Sequence, residues 1–484
     1  MGDESARRQL DIASRIPPLI DEVAGRVAAE GGVLYIVGGW VRDAIRGSGG
    51  SEVDLATDLN PDAMKRALEN LGSIYDIGEK FGTVGLVSDG QTVEATTFRS
   101  DRYTPGSRHP EISSVADIEE DLARRDFTIN AIALSVVPHR GVLVDPFDGV
   151  GDIRRRLIKT PGEPGPRMAE DPLRMMRAVR FAAQLSFRID GQLLAVLRKD
   201  AALLDEISWE RRRDELEKIL VARGAPDGLR TLVETGLMES VCPEVTAMRG
   251  VDQPRGYHRA DVLEHSLLTV GYTRPDPLLR RAALLHDVGK PQARVTEPRV
   301  MFPQHDRIAT ELTRVAMKRL RYGSEDLAKT TFLVRRHMRP MHYKGNWSEA
   351  AVRRLIRDCT LSKDNRTLVP LSAVFELARA DIKAGNLDNV PAMMELLEGL
   401  ERRIAAVRGR KDIERPRSPL DGRELMEIFS RGQGPWISRV KRYLEHKVVL
   451  GQLAPGDKRA AERMARDLLE RGAEKEDSGS DDDG

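Results

Sequence analysis

Three carboxylates and a glycine pair offer the first chemistry. Glu52 and Asp54 stand one residue apart in EVDLATD (52–58). That run alternates with period two, so in an extended strand both side chains project from one face. Glu94, in the strand-like run TVEATTF (92–98), could converge on them. Acids gathered on one face repel unless a cation sits between them. Oxygen ligands suit Mg²⁺, and paired ions can clamp the attacking and leaving oxygens of a phosphoryl transfer. Taken alone, Glu52-x-Asp54 also fits a solvated strand face. Upstream, VLYIVG (33–38) reads as a buried strand that stops at Gly38-Gly39 and yields to WVRDAIRG, which has helical spacing and carries Arg42 and Asp43. Glycine admits close backbone approach, helix-start N–H groups face an anion, and arginine adds charge-assisted bonds. This is the pattern of a phosphate cradle.

Histidine marks a second place. Six of the nine histidines (258, 265, 286, 305, 337 and 342) fall within 85 residues. His286-Asp287 sits on the apolar run ALLHDVGKP, His265 precedes it by 21 residues, and Asp381 follows in ARADIKAG. Imidazole and carboxylate ligands suit a divalent transition metal that activates water, and His305 and His337 could serve a second ion. The competing reading is a set of satisfied core histidines.

The elements that must position these groups change character along the chain. Residues 33–98 alternate strand and helix signals. PDAMKRALENL (61–71) opens a helix on Pro61, and TVGLVS (83–88) with TVEATTF reads as a hairpin around Asp89-Gly90-Gln91. A sheet domain is expected over 1–160, closed by the linker PGEPGP (161–166). AEDPLRMMRAVRFAAQLSF (169–187) and most later segments are helical. The expected division is a helical neck over 161–248, a histidine-rich domain over 249–390, a helical tail over 391–473 and a disordered acidic end over 474–484. At roughly 100–200 residues per domain, 484 residues hold about three or four domains.

Composition excludes some classes. No stretch approaches the ~20 apolar residues of a membrane span, and the N-terminal run lacks the apolar core of a signal peptide. Two cysteines, Cys242 and Cys359, make neither a disulfide framework nor a CxxC zinc pattern. A cytoplasmic protein with no membrane partner is expected. The net charge of +1 hides an asymmetry: EKEDSGSDDDG (474–484) carries −5, leaving +6 on the rest, so a polyanionic partner is not excluded.

GGWVRD (38–43), EVDLATD (52–58), KFGTVGLV (80–87), VEATTFR (93–99), RRDFTINAIA (124–133) and EDPLRMMRAVRF (170–181) occur in that order. Together they resemble the class II nucleotidyltransferases, the tRNA CCA-adding enzymes and bacterial poly(A) polymerases, densely over the first 220 residues. The resemblance implies an α+β protein: a small mixed-sheet, polymerase-β-like palm with helices, then all-α domains including an HD domain. It implies that Glu52 and Asp54 hold catalytic Mg²⁺ and activate a primer 3′-hydroxyl, with Glu94 as third carboxylate. The family normally has Asp at position 52, and the longer glutamate moves that ligand. Gly38, Gly39 and Arg42 would contact the triphosphate. Arg125 and Asp126 would read the ribose, with Asn130 of the same motif among the nucleotide-binding residues. Asp171 and Arg174 would read the incoming base in place of a template, and Arg177 and Arg180 would continue their helix face toward phosphates. At i and i+3, Asp171 and Arg174 share one helix face, a spacing that an ordinary salt-bridged helix also shows. The order His265, His286-Asp287, Asp381 resembles HD-superfamily metal phosphohydrolases.

Within the superfamily, RSDRYTPGSRHPEISSVADIEEDLA (99–123) resembles the full-length loop of enzymes that incorporate A, and GEKFGTVGLV (78–87) resembles CCA enzymes. Pro172 is common in the poly(A) branch. PLDGRELMEIF (419–429) and GPWISRVKRYLEHKV (434–448) are similar to a tRNA-gripping tail, whose Arg439, Lys441, Arg442 and Lys447 could meet phosphates. The expected activity is addition or repair of the tRNA 3′-terminal CCA from CTP and ATP, releasing pyrophosphate. Poly(A) or A-only addition is the alternative within the class. Phosphoester hydrolysis at the HD site, as main or second activity, and a non-catalytic RNA-binding role are the alternatives outside it.

Overall fold

The computed structural model describes residues 12–49, 52–77, 82–102, 111–115, 117–253, 260–297, 300–364, 366–385, 388–408, 418–449, 452–454 and 456–477. Residues 78–81 of the KFGTVGLV motif region, 103–110 of the long loop, His258 and the acidic end 478–484 lie outside them. The chain forms two compact units. One runs to Thr246 and includes Arg319–Arg321; the other comprises Ala247–Lys318 and Tyr322 onward.

The first unit is built on a seven-stranded sheet of order β3-β4-β5-β2-β1-β8-β9. Its strands include β1 (Leu34–Val37), β2 (Val53–Thr57), β3 (Ser73–Ile77), β4 (Thr83–Ser88) and β5 (Gln91–Thr97). A separate ribbon pairs β6 (Arg99–Arg102) with β7 (Glu111–Ser114), and β8 (Ala133–Val137) and β9 (Leu143–Val144) complete the sheet. The expected hairpin is present: Ser88 pairs with Gln91, and Asp89 and Gly90 both take positive φ, as a two-residue primed turn requires. β2 and β5 run parallel, whereas β1 is antiparallel to β2.

Helices α1 (Pro18–Ala29) and α3 (Pro61–Leu68) pack together and against β8 and β4, with α2 (Gly39–Ile45) between them in the chain. Asn60 caps α3 by accepting from the Ala63 N–H at 2.9 Å, and Met64 and Leu68, one turn apart, are fully buried. Such burial is worth roughly 1.5–3 kcal/mol per side chain. On the sheet face that carries Asp54, Ala56 is sealed in a cluster with Phe98 and with Ile118 and Leu122 of α4 (Ile118–Ala123). Asp54, nearer the sheet end, stays exposed.

After the sheet come α5 (Gly149–Arg155), α6 (Pro164–Glu170), α7 (Leu173–Leu185), α8 (Gly191–Lys199), α9 (Trp209–Leu220) and α10 (Ala225–Glu234). Two expectations need correction. The PGEPGP linker is partly helical, since Pro164 opens α6. The segment 169–187 is not one helix: Asp171 is extended (φ −144°, ψ 97°) between α6 and α7. A residue preceding proline is driven out of the helical region, and Pro172 does this to Asp171.

The second unit comprises α11 (Val262–Tyr272), α12 (Pro277–Leu285), α13 (His305–Arg319), α14 (Ser324–Arg336), α15 (Glu349–Asp358), α16 (Leu371–Gly385) and α17 (Val390–Arg408). It also holds a short hairpin, β10 (Leu361–Lys363) with β11 (Arg366–Val369), so it is not purely helical. Because α17 packs on α16 and α15, a boundary at 390 would divide packed helices. A separate apolar cluster centred on Leu425, Trp436, Val440, Leu444 and Ala461 joins α18 (Gly422–Phe429), α19 (Pro435–Val449) and α20 (Lys458–Asp477). α20 therefore continues helically through residues 474–477, which were expected to be disordered. Along α19 the buried residues recur every four positions, and Arg439 and Arg442 are exposed beside them. No helix among the described residues is long and apolar enough to cross a membrane.

Candidate functional site

Strand register brings the acids together. Asp54 is the direct partner of Val37 on β1 and of Glu94 on β5. Gly38, which follows Val37, therefore lies against Asp54. Glu52 precedes β2 rather than lying within it, yet it lines the same cavity of about 680 Å³ as Asp54, Gly38, Gly39 and Arg42. Glu94 opens into an adjoining cavity of about 320 Å³ that shares Asp54, Arg99, Arg124 and Arg125. Burial raises the pKa of Asp54, Arg125 opposes the rise and Glu52 adds to it. Glu94 is raised by burial, then by Asp54 and Glu52. Two carboxyls whose ionisation is resisted, beside a third carboxylate, make an oxygen-donor set that fits a hard divalent cation.

Gly38 has φ 72°, a region L-residues with a Cβ rarely adopt, and a Cβ there would lie 3.3 Å from both Asp54 Oδ2 and Arg125 Nη1. Gly38→Ala is expected to cost about 1–2 kcal/mol of stability and to cut nucleotide addition at least tenfold, checked by denaturant melts and primer extension.

A hydrogen-bonded chain joins this end of the sheet to α7. Arg42 Nη1 donates to Asn130 Oδ1 at 2.8 Å, Asn130 Nδ2 donates to Asp126 Oδ1 at 3.0 Å, and Arg177 Nε donates to Asp126 Oδ2 at 2.9 Å. Burial opposes ionisation of Asp126, but Arg177 and Asn130 overcome it and hold its carboxyl below the usual range. Arg180 is likewise taken, by buried Glu215 at 2.7 Å, and lies 4.0 Å from the Phe181 ring centre. Arg177 and Arg180 thus brace α7 through carboxylates while both line the large cavity. Asp126→Ala is expected to cost about 3 kcal/mol by stranding Arg177. Since the folded pKa is depressed, this stabilisation is present above the unfolded value of about 3.9 and is lost as pH falls through the folded pKa. Urea melts at pH 7 and pH 3 are expected to show the wild-type advantage shrinking at pH 3.

The helix face that Asp171 and Arg174 were expected to share is a second correction. Both line the large cavity, but Arg174 donates to Glu170 Oε2 at 2.8 Å and to the carbonyl oxygens of Arg167 and Arg124. Asp171 Oδ2 accepts from Arg211 at 3.0 Å. Because Asp171 precedes α7, the shared helix face does not exist. Arg99, Arg124, Phe181 and Arg211 also line the cavity and were not singled out from the sequence. Arg99 and Arg124 fall inside motifs already read, whereas Arg211 gave no local signal.

In the second unit the histidine cluster assembles as its spacing suggested. His265, His286 and Asp381 form one triad and Asp287, His305 and His337 another, each with ligand atoms within 4.8 Å of one another. Asp287 joins them: Oδ2 lies 3.1 Å from His286 Nε2 and Oδ1 lies 3.5 Å from His305 Nε2. His286, His305 and His337 each place Nδ1 at 2.7–2.9 Å from the carbonyl oxygen three residues earlier. With Nδ1–H donating there, Nε2 is left as the lone-pair atom facing the cluster, the posture of a metal-ligating imidazole. The buried Nε2 atoms of His305 and His337 have no hydrogen-bond partner among the described residues. Burial, with His286 and His305 adding, lowers the His337 pKa to about 3. Asp287 is held well below the usual carboxylate range because His286 and Lys290 outweigh its burial. Burial lowers His305 as well, so His305 and His337 offer neutral imidazole nitrogens beside the ionised Asp287, a donor set that fits a divalent transition metal.

Residues 34–159 match the poly A polymerase head domain, and residues 186–249 match the probable RNA and SrmB-binding site of polymerase A. An A-adding tRNA nucleotidyltransferase of Deinococcus radiodurans is 33% identical over 445 residues, 88% of this chain and 94% of that protein. A CCA-adding enzyme of Levilactobacillus brevis is 43% identical over 211 residues, 43% of this chain and 51% of that protein. The solved CCA-adding enzyme of Bacillus stearothermophilus in complex with CTP superimposes with a TM-score of 0.63 at 26% identity, covering 96% of this chain and all of that one. The sheet is the head of a nucleotidyltransferase. The chain belongs to the class II family of tRNA nucleotidyltransferases and poly(A) polymerases.

Proposed function

We propose that the chain completes or repairs the 3′-terminal CCA of tRNA, taking CTP and ATP as donors and releasing pyrophosphate. The observation that carries this reading is one cavity holding Glu52 and Asp54 beside Gly38, Gly39 and Arg42, with Asp171 and Arg174 on its lining. Glu52 and Asp54, supported by Glu94, would hold Mg²⁺, which when bound supplies activation of the primer hydroxyl and neutralises charge at the α-phosphate. Gly38 and Gly39 let the triphosphate approach the backbone, and Arg42, fixed by Asn130, donates to it. Arg125 takes the ribose side, with Asp126 orienting Asn130. Asp171 accepts from an exocyclic amine, a group that cytosine and adenine carry and uracil and guanine lack at the matching edge. Arg174 donates to the ring nitrogen beside it. The protein contributes mostly positioning and electrostatics.

A-only addition is favoured by one observation: the A-adding relative matches nearly end to end. Transcripts ending before CCA, after C and after CC, each given CTP, ATP or both, separate the readings. CCA addition predicts extension of all three with both nucleotides. Extension of the CC end alone means A-only addition, and long ATP-only tails on arbitrary RNA overturn both.

The histidine cluster supports a second activity. We infer that His265, His286, Asp287 and Asp381, with His305 and His337, hold one or two transition-metal ions, which when bound supply an activated water for phosphoester hydrolysis.

A further inference from the structure

Arginines outnumber acids on the wall of the large cavity. Among the described residues that line it, eight are arginines and four are carboxylates, and Phe181 of α7 is the single aromatic side chain. Crowded guanidinia repel one another. Burial lowers the Arg180 pKa, Glu215 opposes the fall and Arg177 adds to it. The Phe181 ring stands among three of these cations. Its centre lies 4.0 Å from the Arg180 guanidinium carbon, 5.4 Å from that of Arg42 and 5.6 Å from that of Arg177. The negative face of an aromatic ring attracts a cation within about 6 Å of its centre. Fully buried Phe127 meets the ring edge to face, with centres 5.7 Å apart and planes at 80°, and so fixes its orientation. Asp43 and Asn130 accept from Arg42, Asp126 from Arg177 and Glu215 from Arg180. Each guanidinium is thus held at its edge by oxygen, and all three share one ring.

We propose that Phe181 is a positioning residue for the triphosphate, an inference that rests on this cavity receiving it. The ring quadrupole offsets the repulsion among Arg42, Arg177 and Arg180 and keeps them on one wall before any polyanion enters. An aliphatic side chain of similar size fills the space but offers no negative face. The ring also ties two elements together, because Arg42 belongs to α2 beside Gly38-Gly39, whereas Arg177 and Arg180 belong to α7. A triphosphate carries the same charge whatever its base. Phe181 therefore acts on nucleotide affinity and leaves base choice alone.

The test places mono-, di- and trifluorinated phenylalanine at position 181 by codon reassignment, beside Phe181→Leu and Arg42→Met proteins. Fluorine drains the ring face while leaving the ring's shape nearly unchanged, so packing and cation attraction are read apart. KM and kcat are measured for ATP on a CC-ended tRNA transcript and for CTP on one ending before CCA, with thermal melts of every protein. KM is expected to rise stepwise along the fluorine series to about tenfold, the scale of a cation–ring attraction in a desolvated site. ATP and CTP are expected to shift alike, with kcat held within about twofold, the mark of lost nucleotide binding. Phe181→Leu is expected to match the trifluorinated protein in KM while melting lower. A merely structural ring would leave KM flat along the series. If KM stays within about twofold across the fluorinated proteins while Arg42→Met raises it, the role given to Phe181 is overturned. If Arg42→Met leaves KM unmoved as well, triphosphate binding in this cavity is itself overturned.

Discussion

Asp54→Ala is expected to lower nucleotide addition at least 10³-fold while leaving the protein folded. Asp54 is the one carboxylate in direct register with another acid, Glu94, and the one that lines both cavities. Removing it dismantles the three-acid cluster from its centre. A bound metal ion contributes several kcal/mol of transition-state charge stabilisation, and ~4 kcal/mol corresponds to about 10³ in rate. Stability is expected to change little. Asp54 sits at the sheet end on the wall of both cavities, its ionisation is resisted by its surroundings and by Glu52, and Arg125 keeps a second carboxylate partner in Asp121 at 3.1 Å. Glu94→Ala, at the edge of the cluster, is expected to cost about tenfold. Single-turnover extension of a labelled tRNA transcript reads both effects. Thermal melts show whether either variant is unfolded.

Asp287→Ala is expected to empty the second unit of transition metal. One Asp287 oxygen faces His305 and the other faces His286, so a single substitution strikes both triads. Metal content after dialysis against Co²⁺ or Ni²⁺ is expected to fall to a tenth of wild type or less, with any phosphoester hydrolysis lost alongside. Lys290, buried with its Nζ 2.6 Å from Asp287 Oδ2, would be left without that carboxylate. Asp287→Asn, which keeps a hydrogen-bond acceptor for Lys290, separates loss of metal from loss of fold. Retained stoichiometric metal in a folded Asp287→Asn protein would contradict the ligand assignment.

Short-range features of this chain were legible because local rules set them. Asp89-Gly90 dictates its hairpin, Pro61 and Asn60 start α3, and the His286-Asp287 dyad announces its own site. Glu52 and Asp54 line one cavity although Glu52 lies just outside the strand, since the alternation that links them extends one residue past the ladder. β8 begins at Ala133, the last residue of the RRDFTINAIA motif, and only four residues of strand pattern follow it. The single helix expected over 169–187 failed at Pro172, a local rule outweighed in the reading by strong helical periodicity on both sides. The partners of Arg42, Asp171 and His265 lie 88, 40 and 116 residues away. Tertiary packing alone decides such pairs, so the spacing of Asp171 and Arg174 could not show that Asp171 is held by Arg211.

Two variants assayed for two reactions test the central claim most directly. Asp54→Ala and Asp287→Asn proteins are each measured for extension of a CC-ended tRNA transcript with ATP and Mg²⁺, and for transition-metal content. The account predicts a crossed result: Asp54→Ala loses extension and keeps its metal, while Asp287→Asn loses its metal and extends at the wild-type rate. Extension by Asp54→Ala at near wild-type rate would contradict it, placing the transfer chemistry somewhere other than the acid-lined end of the sheet.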